Sequence, residues 1–458
     1  MNQSNPKTDL GSGDIKKLMI KMAVPTVVAQ LINLIYNVVD RIYIGHIEDI
    51  GTLALTGVGL CMPIMMIVMA FASLACAGGA PRAAIAMGQQ KNETAEKILG
   101  NCFAVVILFA VVLTIILSVT AEPLLVLFGA SENTLPFALE YLRIYILGSV
   151  CVLIVTGMNS FLTTQGFTKF AMVSTVIGAV LNIILDPIFI FGLNMGVAGA
   201  ALATVLSQAV SAVWILLFLT GKKTILKLRL KNMAIAPGVI GPCLALGAAP
   251  FVMMATESFL NISFNSSLSR YGGDIAVGSM TIISSVNQLV FLPLSGICQG
   301  GQPIISYNFG AGNRKRVKEA FNFQFLICVC YASLCFALIM LFPKVFAGIF
   351  TSDSVLMDHT AWAMRIYMAG IFSMGFQISC QQSFMALGQA KTSLFLACLR
   401  KLILLIPLIF VLPLFLEDKV FAVFLAEPIS DIVAALVTSS MFFSRFNKIM
   451  DKGSAKIE

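Results

Sequence analysis

Residues 30–41 read Gln30-Leu-Ile-Asn33-Leu-Ile-Tyr36-Asn37-Val-Val-Asp40-Arg41. They lie in an apolar segment that begins near residue 18 and ends near residue 44, so an ionisable Asp40 sits inside a hydrophobic helix. Asn33, Tyr36 and Asp40 recur at helical spacing and therefore share one face. Because polar and ionisable groups inside a membrane need partners, we predict that this face looks toward a polar interior and away from lipid.

The composition identifies the class of protein. Hydrophobic residues make up 58% of the 458 residues and charged residues 11%, and the mean hydropathy is +0.93. Soluble globular chains do not reach these values, so we predict an all-α integral membrane protein. The first apolar run is longer than the core of a signal peptide, roughly 7–15 residues, and we interpret it as a retained membrane span.

The eleven cysteines do not indicate a disulfide framework or a metal site. Most of them lie inside apolar runs and lack metal-ligand spacing. We interpret them as small membrane-buried side chains, with a redox or metal role as the weaker alternative.

Twelve hydrophobic segments are each long enough to cross a bilayer, which takes about 20 residues. They lie near 18–44, 52–78, 97–120, 136–158, 169–192, 197–219, 239–262, 275–299, 319–342, 361–386, 393–416 and 419–443. Basic residues concentrate in alternate loops, and we count Arg400 and Lys401 among them. This pattern predicts a multi-pass protein of the cell (inner, cytoplasmic) membrane with both termini in the cytoplasm. The net charge of +8 then reflects cytoplasmic loops and not a nucleic-acid surface.

The two halves of the chain repeat each other at an offset of 222 residues. Gly78-Gly79-Ala80-Pro81 matches Gly300-Gly301-Gln302-Pro303, Arg143-Ile-Tyr145 matches Arg365-Ile-Tyr367, Gly166 matches Gly388, and Lys169 matches Lys391. We predict an N-terminal tail (1–17), an N-lobe (18–220), a cytoplasmic linker (221–238), a C-lobe (239–443) and a C-terminal tail (444–458). Six spans per half make the lobes parallel and pseudo-symmetric around a central cleft. A static duplicated fold is the alternative to a pair of lobes that rock.

Span 5 supplies partners for Asp40. Asn182 and Asp186 are four residues apart, so both side chains lie on one helical face. Thr204 lies about two turns into span 6, a helix of small residues that lets neighbours approach closely. All four residues fall in the outer half of the N-lobe, and their oxygens suit Na⁺ or a proton shared between acids.

Each of these residues also has a structural interpretation. Asp186 precedes Pro187 and fits a cap at a helix break, Asn182 fits a hydrogen bond between helices, and Asp40 fits an interfacial carboxylate beside Arg41. Pro25 fits a hinge in span 1 or a static kink equally well.

The motifs Tyr36-Asn-Val-Val-Asp40-Arg-Ile-Tyr-Ile-Gly45, Leu181-Asn-Ile-Ile-Leu-Asp186-Pro-Ile-Phe-Ile and Gly196-Val-Ala-Gly-Ala-Ala-Leu-Ala-Thr204 resemble those of the multidrug and toxic compound extrusion (MATE) transporters. The resemblance covers essentially the whole chain. It implies an antiporter that exports organic, often cationic, drugs in exchange for H⁺ or Na⁺. It also implies a cation site at Asp40, Asn182, Asp186 and Thr204, a bend at Pro25 and polar pocket positions at Tyr141 and Asn159.

The sequence departs from the sodium-coupled branch of this family, which carries acids in spans 7 and 10. Span 7 has Glu257, but span 10 has Gln377 and no carboxylate. Glu257 either faces a cationic drug or is tied to a neighbouring amide or Arg. For Glu427 and Asp431 in span 12 we favour a structural role over a cleft-lining one. The residues expected to line the substrate cleft are Asn33, Tyr36, Tyr141, Asn159, Glu257 and Gln377.

We therefore expect a monomeric efflux antiporter and not an enzyme. Its partners would be small organic substrates and the lipid bilayer, with no nucleic acid, and its coupling ion H⁺ or Na⁺ with no other cofactor. A flippase for lipid-linked precursors is the alternative. A membrane enzyme is less consistent with the sequence, because His46 and His359 lie alone in outer loops.

Overall fold

The computed structural model describes residues 10–454, with side chains to residue 451. Helices joined by short turns and loops make up this described range, and no β-strand occurs in it. The α-helices are α1 Ile15–Gly45, α2 Gly51–Gly88, α3 Asn92–Leu127, α4 Leu135–Thr164, α5 Thr168–Pro187, α6 Gly196–Thr220, α7 Pro237–Gly310, α8 Arg314–Leu341, α9 Pro343–Gly348, α10 Ser354–Tyr367, α11 Ile371–Ala386, α12 Ala390–Cys398, α13 Ile406–Phe415 and α14 Lys419–Ser454.

Within residues 10–454, ten helical segments are long and apolar enough to cross a membrane. One of them is α7, in which two helices, matching predicted spans 7 and 8, follow each other across a kink at the non-helical residue Gly273 (φ 62°). Predicted span 10 falls on α10 and α11, which a short 3₁₀ turn separates. Predicted span 11 falls on α12 and α13, joined by the π-helical segment Leu399–Leu405. The prediction of an all-α membrane protein is confirmed.

The 222-residue repeat extends from sequence to helix boundaries. α1, α3 and α5 begin 222 residues before α7, α8 and α12 respectively. Gly166 follows α4 and Gly388 follows α11, and both adopt the left-handed conformation, with φ of +84° and +70°. Because side chains with a Cβ rarely adopt this conformation, the same turn requires glycine in both halves.

The first compact unit comprises Val24–Gly247. It contains most of α1, all of α2–α6 and the start of α7. The polar segment before α7 is fastened to this unit, because buried Gln165 Oε1 accepts hydrogen bonds from Thr224 Oγ1 (2.8 Å) and the backbone N–H of Leu226 (2.7 Å). Gly78 contacts the start of α7 so closely that a Cβ would collide with the backbone oxygen of Cys243.

The second unit comprises Gly11–Ala23 and the chain from Ala248 onward. The first turns of α1 therefore belong to this unit. Arg316 Nη1 donates a hydrogen bond to the backbone oxygen of Gly13 (2.8 Å), which links the segment before α1 to α8. The backbone N–H of Lys17 donates to Asp14 Oδ1 (3.1 Å), and this hydrogen bond lowers the pKa of the Asp14 carboxyl.

Helix α1 passes from the second unit to the first between Ala23 and Val24. Pro25 follows this point immediately, inside the helix. Since proline has no backbone N–H, it leaves the carbonyl one turn earlier without its helical hydrogen bond. The predicted hinge residue thus lies where one helix changes from one compact unit to the other.

The structure corrects one part of the charge assignment. We expected Arg400 and Lys401 among the cytoplasmic basic residues, but both are buried within the apolar segment that runs from α12 to α13. Buried Asp431 pairs with Arg400, and half-buried Glu257 pairs with Lys401, so these two basic residues are compensated by ion pairs.

Candidate functional site

Three helices of the first unit bring the predicted cation-binding residues together. Asp40 lies near the end of α1, Asn182 and Asp186 lie on the last turns of α5, and Thr204 lies two turns into α6. Asn182 Nδ2 donates to Asp186 Oδ1 (3.2 Å) and lies 3.4 Å from Thr204 Oγ1. The carboxyl groups of Asp40 and Asp186 are close enough to interact directly. We call these four residues the N-lobe cluster.

The N-lobe cluster contains acceptor atoms without donors. Asp40 Oδ1, Asn182 Oδ1 and Asp186 Oδ2 are buried and have no hydrogen-bond partner in the described part of the chain. Leaving a buried acceptor unpaired costs about 1–3 kcal/mol, and more for a charged group. Three such oxygens in one place therefore favour a ligand that supplies positive charge or a proton.

No resident cation neutralises the N-lobe cluster. Among side chains described to residue 451, neither Asp40 nor Asp186 forms an ion pair. Arg41 is adjacent in sequence but exposed, because neighbouring residues on a helix point in different directions. Two buried carboxylates without a cation do not both stay ionised at low cost. The cluster can hold one monovalent cation or one shared proton.

The local backbone explains how α5 and α6 approach. α5 ends at Pro187, and a π-helical turn, Ile188–Gly192, follows it. Gly199 of α6 packs against this turn so tightly that a Cβ would lie 2.8 Å from the backbone carbon of Phe189. A residue larger than glycine would push α6 away, and Thr204 with it. π-helical turns are frequent at functional sites, and this one directly follows Asp186.

Two tyrosines border the N-lobe cluster. Tyr141 is 2% exposed, contacts Thr204 and lies within electrostatic range of Asp40. It stacks on Tyr145 with ring centroids 6.4 Å apart. Tyr36 also lies within electrostatic range of Asp40. The structure thus places Tyr36 and Tyr141, two of the residues expected to line the cleft, beside the N-lobe cluster.

The other expected cleft residues make separate contacts. The backbone oxygen of Asn33 accepts from Asn37 Nδ2 (2.7 Å), and Asn159 Oδ1 accepts from Ser174 Oγ (2.8 Å), which joins α4 to α5. Gln377 is buried in the second unit and donates from Nε2 to Gln381 Oε1 (3.2 Å).

Glu257 forms an ion pair with Lys401. We had considered a neighbouring amide or Arg as its partner, and the partner is instead this lysine. Its side chain remains 42% exposed. Lys401 Nζ also donates to the backbone oxygen of Met253 (3.0 Å). One face of this pair is therefore accessible to a ligand or water.

A second group of ionisable residues joins Glu257, Glu427 and Asp431, which the sequence indicated, to two basic partners that we had not assigned to them. Arg400 donates from Nε to Asp431 Oδ1 (2.8 Å) and from Nη2 to Glu427 Oε1 (3.2 Å), and Nη2 also lies 2.7 Å from Asp431 Oδ1. We call Glu257, Arg400, Lys401, Glu427 and Asp431 the C-lobe cluster. The sequence did contain an indication of this group. Arg400 and Lys401 are adjacent basic residues inside an apolar span, and charges in such a position need partners of opposite charge.

Neither cluster resembles a site for a transition metal, which His, Cys and carboxylate side chains would bind. In the described part of the chain, no group of three or more His, Cys, Asp or Glu side chains has an arrangement that could hold a metal ion. The eleven cysteines are all free and form no disulfide.

Comparisons with known proteins agree with this architecture. The MatE family model matches residues 25–188 and 250–411. The multidrug export protein MepA of Staphylococcus saprophyticus subsp. saprophyticus is 26% identical over 424 residues, which cover 92% of this chain and 93% of MepA. MepA of Staphylococcus aureus (strain NCTC 8325 / PS 47) is 23% identical over 423 residues, with the same coverage.

A solved structure shows the same fold. The crystal structure of MATE in the bent conformation superposes with a TM-score of 0.91 at 23% sequence identity, and covers 99% of this chain and 100% of that one. Together with a family model that matches most of the sequence, this leads to one assignment. The chain belongs to the MatE family of multidrug efflux transporters, and it is a transporter and not an enzyme.

Proposed function

We propose that this protein exports organic, chiefly cationic, compounds across the cell membrane in exchange for inward movement of H⁺ or Na⁺. The observation that carries the proposal is the N-lobe cluster, in which two buried carboxylates face each other without a resident cation. The names of the staphylococcal relatives, which are multidrug export proteins, support organic substrates. We further propose that the protein works as a monomer with both termini in the cytoplasm.

Cation binding at the N-lobe cluster would change the packing of three helices. When Asp40 and Asp186 are both ionised, they repel each other across the interface of α1 and α5. A bound proton or Na⁺ removes this repulsion and lets the two helix ends approach. The occupied and the empty cluster therefore stabilise different positions of the outer end of α1.

Pro25 connects this local change to the rest of the chain. It lies in α1 at the transition between the two compact units, about 15 residues before Asp40. A helix bends most easily where a backbone hydrogen bond is missing. We propose that α1 bends at Pro25 when the cluster binds its cation, and that this movement accompanies drug release and rocking of the two lobes.

The membrane potential supplies part of the driving force. Inward movement of one positive charge is favoured by about 2.3 kcal/mol per 100 mV. Exchange of one monovalent cation for a neutral drug would use this energy. Exchange for a singly charged drug would be electroneutral and would depend only on the concentration gradients of the cation and the drug.

Reconstituted vesicles test the proposal and identify the ion. The purified protein is placed in liposomes, and export of a fluorescent cationic dye is followed with a proton gradient, with a Na⁺ gradient and with neither. We expect export with one of the two gradients, and its loss in Asp40→Asn. Equal dye movement under all three conditions would refute ion exchange. Asp49→Asn, the same change at an exposed turn, is the matched control.

A further inference from the structure

The C-lobe cluster is short of positive charge. Arg400 and Lys401 face the three carboxylates of Glu257, Glu427 and Asp431, so the ionised cluster carries one excess negative charge. Arg400, Glu427 and Asp431 are each more than 90% buried, with exposures of 6%, 5% and 3%. Burying an uncompensated charge in the interior of a membrane protein costs several kcal/mol.

The hydrogen bonds show which carboxylate lacks compensation. Asp431 Oδ1 accepts a hydrogen bond from Arg400 Nε (2.8 Å) and lies 2.7 Å from Nη2, and Glu257 is paired with Lys401. Glu427 Oε1 accepts a single, longer hydrogen bond (3.2 Å) from Arg400 Nη2, a nitrogen that also lies close to Asp431. Glu427 Oε2 is buried without any hydrogen-bond partner in the described residues.

From this geometry we infer that Glu427 binds an exchangeable proton, with Arg400 as the neighbouring fixed charge, so that the second unit holds a protonation site of its own. A proton on Oε2 brings the net charge of the C-lobe cluster to zero. On release, the O–H bond of Glu427 breaks, the electron pair stays on the carboxylate, and the proton passes to water. The inference concerns proton binding and does not depend on the exchange proposed for the N-lobe cluster.

The surroundings of Glu427 favour a proton over a metal ion. The charged and titratable groups around it are Arg400 and Lys401 from the π-helical segment, Asp431 from α14, Glu257 from α7 and Tyr367 from α10. Glu257 Oε2 and Asp431 Oδ1 each contact a basic partner, and the described residues form no group of His, Cys, Asp and Glu that could hold a metal ion. The exposed side of Glu257 offers water a route to the C-lobe cluster.

Infrared spectroscopy tests the inference directly, because a protonated carboxyl has a C=O stretching band that a carboxylate lacks. The full-length protein is reconstituted in lipid at neutral pH, in K⁺ buffer without Na⁺. We expect Glu427→Gln to remove one protonated-carboxyl band, and Glu417→Gln, the same change at an exposed site, to remove none. The band should shift in D₂O, since the proton exchanges. Persistence of every protonated-carboxyl band in folded Glu427→Gln would overturn the inference, as would a band that does not shift in D₂O.

A second variant tests the charge balance without altering Glu427. In Asp431→Asn, two carboxylates face two cations, so Glu427 becomes the counter-charge of Arg400 and should lose its proton. We expect the same infrared band to disappear although Glu427 is still present. Its persistence would show that charge balance does not control the proton.

Circular dichroism and gel filtration establish that each variant is folded, and Asp431→Asn decides the question if Glu427→Gln does not fold. Loss of the band on adding Na⁺ at constant pH would identify Na⁺ as the ligand and overturn the inference.

Discussion

The two halves of this protein share a helical plan but place their buried charges differently. At the 222-residue offset, Asp40 and Asp186 of the N-lobe cluster correspond to Ile262 and Leu408. In the opposite direction, Arg400 and Glu427 of the C-lobe cluster correspond to Gly178 and Val205. Each cluster therefore occurs in one half of the repeated scaffold and has no counterpart at the equivalent positions of the other half.

The clusters also differ in how they are neutralised. Among the described side chains, the two carboxylates of the N-lobe cluster form no ion pair, whereas the three carboxylates of the C-lobe cluster face two basic partners. The first must take its positive charge from solution, while the second carries most of its own. Because a buried charge without compensation is costly, we expect the first cluster to govern transport and the second chiefly to govern stability.

The largest effect should come from Asp40→Asn. The substitution removes the negative charge that draws a cation to the N-lobe cluster, while the side chain keeps its size. We expect drug export to fall to the level of cells without the protein, measured as drug resistance and dye efflux, with normal amounts of protein in the membrane. Full resistance in cells that carry this variant would refute the coupling role of the N-lobe cluster.

Arg400→Met should have the next largest effect, and on stability. Removing the basic partner leaves Asp431 and Glu427 buried with little compensation, a loss of about 3–5 kcal/mol for a broken buried pair. We expect a lower free energy of unfolding in denaturant titrations of the purified protein. Adding Glu427→Gln and Asp431→Asn to the same chain should restore much of the loss. A triple variant no more stable than Arg400→Met would show that charge is not the cause.

Pro25→Ala should have an intermediate effect and distinguishes a hinge from a static kink. Proline inside a helix costs about 3 kcal/mol relative to alanine, so the variant helix should be stiffer at this point. If α1 bends during transport, the rate of dye export should fall while the protein remains folded. Pro63→Ala is the control, because Pro63 lies inside α2, a helix that stays within one compact unit. Equal rates in both variants and in the parent would favour a static kink.

Thr204→Val should have the smallest effect. The side chains have nearly the same shape, and the change removes only the hydroxyl that lies 3.4 Å from Asn182 Nδ2. A neutral hydrogen bond contributes about 0.5–1.5 kcal/mol, so the apparent affinity for the coupling cation should fall by up to about tenfold. Thr204→Ser keeps the hydroxyl and should retain the parental affinity. A complete loss of export in Thr204→Val would place Thr204 among the direct cation ligands.

Much of the N-lobe cluster could be predicted because its signals are local. Asp40 is an acid within an apolar run, and Asn182 and Asp186 are separated by one helical turn, so their common face follows from helix geometry. The acids of the C-lobe cluster could be named from the sequence, but their pairing with two basic residues could not, because these partners are remote in sequence. Arg400 and Asp431 are 31 residues apart on different helices, and Arg400 lies close enough in sequence to cytoplasmic basic residues to be counted with them.

The amino-acid sequence alone established the membrane class, the helical fold and the duplication, because hydrophobic length and internal repetition do not depend on how helices pack. It also indicated which polar residues of the first half share a depth in the membrane. Tertiary structure decided which charges are paired. Ion pairs depend on distances of a few ångströms between helices, and packing sets those distances. Packing leaves Asp40 and Asp186 without a basic partner, while it brings Arg400 to Asp431 and leaves one oxygen of Glu427 free.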